Sequence, residues 1–133
     1  MSQENVEMVR RGYEAYNRGD PEGTVADFAP TFEYVPTGAI PGKRDVYRGP
    51  EGYLGFVRWL WDEFEDARIE VHELIDAGDQ VLASVTLQGR GRQSGADVAW
   101  DLWHLWWVED GRAVRGQAFR DKEEALQAAG LRE

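Results

Sequence analysis

The residues best placed to do chemistry lie on one stretch, Val98-Ala-Trp-Asp-Leu-Trp-His-Leu-Trp-Trp-Val-Glu-Asp-Gly-Arg-Ala-Val-Arg-Gly-Gln-Ala-Phe-Arg120. Asp110-Gly111 between two apolar runs is a two-residue hairpin signal, because both central residues of such a turn need positive φ. With that pair at the tip, Glu109 faces Arg112, Val108 faces Ala113, Trp106 faces Arg115, His104 faces Gln117, Trp103 faces Ala118 and Asp101 faces Arg120. Opposite charges, and arginine beside tryptophan, are favourable cross-strand neighbours. In a partly dry pocket, Asp101 with Arg120 could polarise a carbonyl or act as base and anion clamp. The same two residues could equally form an ion pair that ties two strands together. The only histidines, His72 and His104, fall on separate predicted strands, and a metal site would want a tighter cluster. There is no cysteine, hence no thiolate nucleophile and no disulfide. No phosphate-cradling glycine loop follows a strand. Neither a metal nor a cofactor is expected.

These residues depend on the elements around them. Alternation divides the first hairpin strand into Asp101, Trp103, Leu105 and Trp107 on one face and Trp100, Leu102, His104, Trp106 and Val108 on the other. Both faces are heavily apolar, so both should be covered. One layer of helices covers one face. A second subunit is expected on the other, giving a homodimer through Trp100, His104 and Trp106.

Val6, Val9, Tyr13 and Tyr16 recur at helical spacing, and Asn17-Arg18-Gly19 stops that helix. Asp20-Pro21 opens a short second helix, with Val25, Phe28 and Ala29 on its buried side and Pro30 at its end. Thr31 to Val35 reads as a strand. A Pro/Gly-rich loop from Pro36 to Gly49 carries Lys43, Arg44 and Arg48, and is either a pocket rim or a solvated connector. Tyr53, Leu54, Val57, Leu60, Trp61 and Phe64 form the apolar face of a third helix. Strands follow over Arg68 to Ile75 and Gln80 to Gly89, and Asp121-Lys-Glu-Glu124 caps a terminal helix. Helices first and a mostly antiparallel sheet after is an α+β layout.

At 133 residues, 42% of them hydrophobic and 30% charged, the chain is expected to form one globular domain over residues 1–133. A net charge of −10 argues against nucleic acid or an anionic membrane surface as partner. No basic-then-apolar leader and no bilayer-length apolar run is present, so a cytoplasmic protein is expected.

Tyr13-Glu-Ala-Tyr-Asn-Arg-Gly-Asp20, Phe28-Ala-Pro-Thr-Phe-Glu-Tyr-Val-Pro36, Tyr47-Arg-Gly-Pro-Glu-Gly52, Ile75-Asp-Ala-Gly-Asp79, His104-Leu-Trp-Trp-Val-Glu-Asp-Gly-Arg112 and Phe119-Arg-Asp121 run in order along nearly the whole chain. This set resembles the SnoaL-like group of the nuclear transport factor 2-like superfamily. The resemblance implies a cone, a strongly bent sheet wrapped around three N-terminal helices, with a pocket in its opening and commonly a dimer. It also implies a range of roles, from polyketide cyclases, ketosteroid isomerases, epoxide hydrolases and dehydratases to members without known catalysis.

Carried over residue by residue, the isomerase oxyanion tyrosine falls on Gly12, the general base on Val35 and the second oxyanion acid on Trp103, all without the needed chemistry. The family pattern puts Asp101, Trp103, Leu105 and Trp107 on the concave side, with Gly116, Ala118 and Arg120 beside them and Ser84 and Thr86 joining. Glu33, one step from the missing base, could replace it with a raised pKa, or could simply face solvent. Tyr13 and Tyr16 would form pocket walls or plain packing. The expected function is a cofactor-independent pocket protein acting on a small hydrophobic, oxygenated compound. Asp101, Arg120 and Glu33 would be its polar groups, and Tyr13, Tyr16, Trp103, Trp107, Ser84 and Thr86 would contact the ligand. The other expectation is a non-catalytic binding or dimerisation module on the same fold.

Overall fold

The structure is a computed structural model describing residues 2–40, 42–43 and 45–131. Four helices, α1 (Ser2–Asn17), α2 (Pro21–Thr24), α3 (Gly49–Glu63) and α4 (Lys122–Ala128), accompany six strands. These are β1 (Phe28–Val35), β2 (Tyr47–Arg48), β3 (Phe64–Asp76), β4 (Gln80–Gly91), β5 (Asp97–Glu109) and β6 (Arg112–Phe119). They form one curved, unclosed sheet in the order β2-β1-β6-β5-β4-β3, antiparallel except for the β1–β6 pair. The α+β class, the helix-first order and the cone are as the sequence predicts. Among the described residues no helix is long and apolar enough to cross a membrane.

Two local readings change. The second helix stops at Thr24, and Phe28 and Ala29 belong to β1 rather than to that helix. Pro30 does not end a helix; it sits where the β1–β6 register is interrupted, and an absent N–H costs little there. In addition, Tyr47–Arg48 forms a short strand against Glu33 and Tyr34 that the loop reading passed over. Arg44, expected on that loop, lies outside the described residues.

The hairpin turns at Asp110-Gly111, both with positive φ (51 and 76). Glu109 faces Arg112 and Val108 faces Ala113 as expected, but Trp107 then faces Arg115, Trp106 faces Gly116, His104 faces Ala118 and Trp103 faces Phe119. Val114 is an extra residue on β6, a bulge that advances every later pair by one. The consequence is large, because Arg120 no longer lies opposite Asp101. Gly116 now sits under the Trp106 indole, where a Cβ would come within 2.6 Å of the ring.

The faces are also opposite to the expectation. Leu102, His104, Trp106 and Val108 turn inward against α1 and α3, together with Phe32 and Tyr34 of β1 and Val81, Ala83 and Val85 of β4. Asp101, Trp103 and Trp107, with Ser84 and Thr86 of β4 opposite Trp103 and Asp101, take the outer face. Part of that outer face is covered by the chain itself. Ala125 and Leu126 of α4 pack over Leu82, Leu105 and Phe119, and Trp103, Trp107 and Leu131 flank the cluster. Trp100, His104 and Trp106 are therefore not the subunit interface expected of them. α1 and α3 cover the inner side of the strand, and α4 covers part of the outer side.

Asn17 fixes the end of α1 to the sheet: its amide donates to the Ile69 carbonyl at 2.8 Å and accepts from the Ile69 N–H at 2.9 Å. This clamp holds Tyr13 and Tyr16 over the inner face. We expect Gly116→Ala to push the Trp106 ring off its seat and destabilise the fold by about 1–3 kcal/mol, the usual cost of overpacking. Urea unfolding followed by circular dichroism measures this, and a variant as stable as the wild type would contradict the assigned seat.

Candidate functional site

The inner face is almost wholly apolar, and that makes its few polar atoms informative. A neutral aromatic chamber is built from Phe28, Phe32 and Tyr34 on β1, Tyr53 and Phe56 on α3, Tyr13 on α1 and Trp106 on β5. At its centre lies His104, hydrogen-bonded at both ring nitrogens: Nδ1 is 2.8 Å from the Tyr13 hydroxyl and Nε2 is 3.1 Å from that of Tyr34. The Trp106 indole N–H donates to the same Tyr13 oxygen at 2.9 Å. An indole can only donate, so Tyr13 accepts from Trp106 and is free to pass its own proton to Nδ1. His104 then carries its proton on Nε2 and donates to Tyr34. This tautomer is assigned because it gives Trp106, Tyr13 and both ring nitrogens of His104 complementary partners.

Burial dictates the charge state of this chain. It holds the His104 imidazole down to about 4, and it drives the Tyr13 and Tyr34 phenols well above their ordinary range. Moving the Tyr13 proton to His104 would create two charges, each disfavoured by the same dry surroundings. The relay is therefore a set of neutral donors and acceptors, not a charged acid–base pair at rest.

A cavity of about 40 Å³ opens beside it, between α1, α2 and the sheet. Tyr13, Tyr16, Phe28, Tyr53 and Trp106 form its aromatic wall, Met8, Val9 and Ile69 its aliphatic wall, and Gly12 and Thr24 its edge. One water needs about 10–15 Å³ measured this way, so the space admits a few atoms rather than a large polycyclic compound. Asp27 stands in the wall, half-exposed, with Arg11 3.3 Å from its carboxylate. Two phenols of the wall stand apart from the relay. Tyr16 has a buried hydroxyl whose proton finds no acceptor among the described residues, with only the Trp61 indole N–H beside it, and Tyr53 bonds to no described residue.

The sequence-predicted residues divide between the two faces. Tyr13 and Tyr16 do line the cavity. Asp101, Arg120, Glu33, Trp103, Trp107, Ser84 and Thr86 are not among its walls. Asp101 is exposed and accepts from the Thr86 hydroxyl at 2.7 Å, and Thr86 is also 2.7 Å from His72 Nε2. Glu33 alternates away from Phe32 and Tyr34, toward Arg48 and with Arg115 at 3.7 Å. Arg115 itself lies over the Trp107 ring at 5.3 Å, and Lys122 lies 5.6 Å from Trp103. Gly116 and Ala118 lie beside Trp106 and His104 rather than beside Trp103, and the Trp106 ring occupies the space that they leave.

Each carried-over family position lies one residue from an inward-facing group, forward on α1 and β5 and backward on β1. The inward groups are Tyr13 rather than Gly12, Tyr34 rather than Val35, and His104 rather than Trp103. A one-residue slip on a strand exchanges its faces. The signal that could have found them was charge. Trp100, Leu102, His104, Trp106 and Val108 form the one hairpin face without an ionised residue, and such a face goes inside. Among the described residues no group of three or more His, Cys, Asp or Glu side chains is placed to hold a metal ion.

A curved sheet closed over α1 and α3 around an aromatic chamber places the molecule among cone-shaped folds, and similar solved structures agree. A nuclear transport factor 2-like protein of unknown function from Burkholderia pseudomallei is 27% identical, with a TM-score of 0.78 over 93% of this chain and 95% of that one. A hypothetical protein with a ketosteroid isomerase-like fold from Catenulispora acidiphila, in complex with trimethylamine, is 18% identical. Its TM-score is 0.76 over 95% of this chain and 94% of that one. TerC, co-crystallised with polyporic acid, is 22% identical with a TM-score of 0.76 over 96% and 98%. No curated protein sequence matches significantly. The SnoaL-like domain family matches over residues 9–116, and the chain belongs to it. Cyclases, isomerases and non-catalytic members share this fold.

The buried histidine gives a pH signature. The unfolded chain takes up a proton on His104 at the ordinary value near 6.5, whereas the folded chain resists until about 4. Stability from this group is complete above pH 6.5 and falls as pH drops from 6.5 toward 4, by about 3 kcal/mol in all. Urea midpoints measured from pH 7 to pH 4 should show this loss in the wild type and lack it in His104→Gln. Identical profiles would contradict the assignment.

Proposed function

We propose that the inner cavity binds a small, largely apolar, oxygen-containing compound, and that the chain performs cofactor-independent acid–base chemistry on it, of the isomerase, cyclase or hydrolase type. The observation that carries this reading is the Tyr13–His104–Tyr34 relay, buried in an apolar chamber and sharing Tyr13 with a cavity wall. Neutral donors fixed in a dry site stabilise charge that develops on a ligand oxygen, at no cost in solvent reorganisation. Tyr13 would meet the ligand by turning its single proton from His104 Nδ1 to the ligand oxygen, while the Trp106 N–H holds the Tyr13 oxygen in place. His104 would be the group that returns or accepts a proton when the bound ligand changes the local charge. Structures of the fold co-crystallised with trimethylamine and with polyporic acid support a ligand-binding role. Asp101, Arg120 and Glu33 have no part in this reading, because Asp101 and Glu33 stand on the outer face and Arg120 is exposed just past the end of β6.

A second reading is a non-catalytic binding module. The small volume of the cavity, about 40 Å³, favours it, as does the pairing of the Asp27 carboxylate in its wall with Arg11.

Titration of tryptophan fluorescence with small ketones, lactones and phenols separates the two. Trp106 is part of the cavity wall and should report occupancy. The enzymatic reading expects saturable binding, weakened about threefold to tenfold in Tyr13→Phe by loss of one hydrogen bond. It also expects proton exchange at the carbon next to the ligand carbonyl, followed by deuterium incorporation, that His104→Gln abolishes. Saturable binding without exchange would leave the binding module. Binding unaffected by Tyr13→Phe would contradict the relay's part in the site.

A further inference from the structure

The relay leaves two phenols of the cavity wall unused, and they point to the chemistry of the ligand. The Tyr16 hydroxyl is buried and its proton has no acceptor, since the only polar group beside it among the described residues is the Trp61 indole N–H. Tyr53, also buried, makes no hydrogen bond to a described residue. Trp61 is the polar side chain near Tyr16, with the two rings 5.5 Å apart. Its indole N–H can only donate, so it could serve the oxygen of Tyr16 but never its proton. A buried hydroxyl proton without an acceptor costs about 1–3 kcal/mol, and native structures rarely leave one unmet. Tyr16 comes from α1 and Tyr53 from α3, and both belong to the wall of the same cavity. Tyr53 raises the cost of ionising the Tyr16 phenol, so the two side chains stand within electrostatic reach of each other across the cavity they both line. Tyr13, by contrast, already accepts from Trp106 and serves His104.

We infer that Tyr16 and Tyr53 form a two-donor clamp for a single acceptor oxygen, and that the ligand is an uncharged carbonyl compound of a few heavy atoms with an apolar body. This rests on the reading of the cavity as a ligand site. The remaining walls, Val9, Phe28 and Ile69, offer the body of such a compound only apolar contact. An ammonium ion is disfavoured: it would leave both hydroxyl protons without an acceptor, and the Asp27 carboxylate is already beside Arg11.

The test uses three probes of nearly equal shape: cyclobutanone, methylenecyclobutane and cyclobutylammonium. Affinities are read from protein chemical shifts in the wild type, Tyr16→Phe and Tyr53→Phe. The expected result is that cyclobutanone binds best, and that each phenylalanine variant weakens it about threefold to tenfold while leaving the hydrocarbon unchanged. Without ligand, Tyr16→Phe should unfold at a higher urea concentration than the wild type, because an unmet hydroxyl has been removed. A lower midpoint would show that the hydroxyl is already bonded within the fold and would overturn the clamp. Equal binding of ketone and hydrocarbon, ketone affinity unchanged in both variants, or tighter binding of the ammonium would each overturn the clamp while leaving the cavity as a ligand site. Failure of all three probes to bind would overturn the ligand site itself, and the clamp with it.

Discussion

The structure depends on one constraint, a histidine placed where no charge is tolerated. His104 lies on the central hairpin strand with its ring inside the cone, and both of its nitrogens must be satisfied without solvent. The answer comes from two tyrosines far away in sequence, one on α1 and one on β1, brought together only when the sheet bends over the helices. Burying a polar group without partners is costly, and a fully connected buried network also specifies one arrangement over its competitors. The cone is in this sense closed around its histidine. The aromatic rings that fill the rest of the chamber keep that environment dry.

The neutrality of the network has a chemical consequence. Desolvation pushes the phenols up and the imidazole down, so every proton stays on its resting atom near neutral pH. Such a site is prepared to answer charge that appears on a ligand rather than to start by drawing a proton from it. The outer face shows the opposite chemistry. Asp101, Thr86 and His72 form a solvent-side chain of hydrogen bonds, and Glu33 lies between Arg48 and Arg115, where water screens the charges. A single sheet thus separates a dry, neutral side from one that carries exposed charges around the apolar cluster under α4.

Much of this was legible in the residues. Helical spacing of Val9, Tyr13 and Tyr16 marked the face of α1 that now lines the cavity, and Asp110-Gly111 marked the hairpin tip with its two positive φ values. What failed was parity. A period-two pattern states which residues share a face, not which face is inside, and the pairing of small Gly116 and Ala118 with Trp103 assumed an unbroken ladder. The bulge at Val114 has no composition signal of its own, since it answers the bend of the sheet rather than any local preference. Tyr34 was missed for a related reason: its partner His104 is on β5, two strands away across β6, beyond the reach of local spacing. The helix α4, read as a small terminal element, proved to be the cover of the outer apolar cluster.

The most direct test of this account is the protonation state of His104 by long-range proton–nitrogen correlation spectroscopy of the imidazole from pH 7 to pH 4.5. The account predicts one neutral ring with its proton on Nε2 and an unprotonated, hydrogen-bonded Nδ1, unchanged until pH approaches 4. A His104 ring that titrates near 6.5, or that exchanges freely between tautomers at neutral pH, would contradict the closed relay on which the fold and the proposed site both rest.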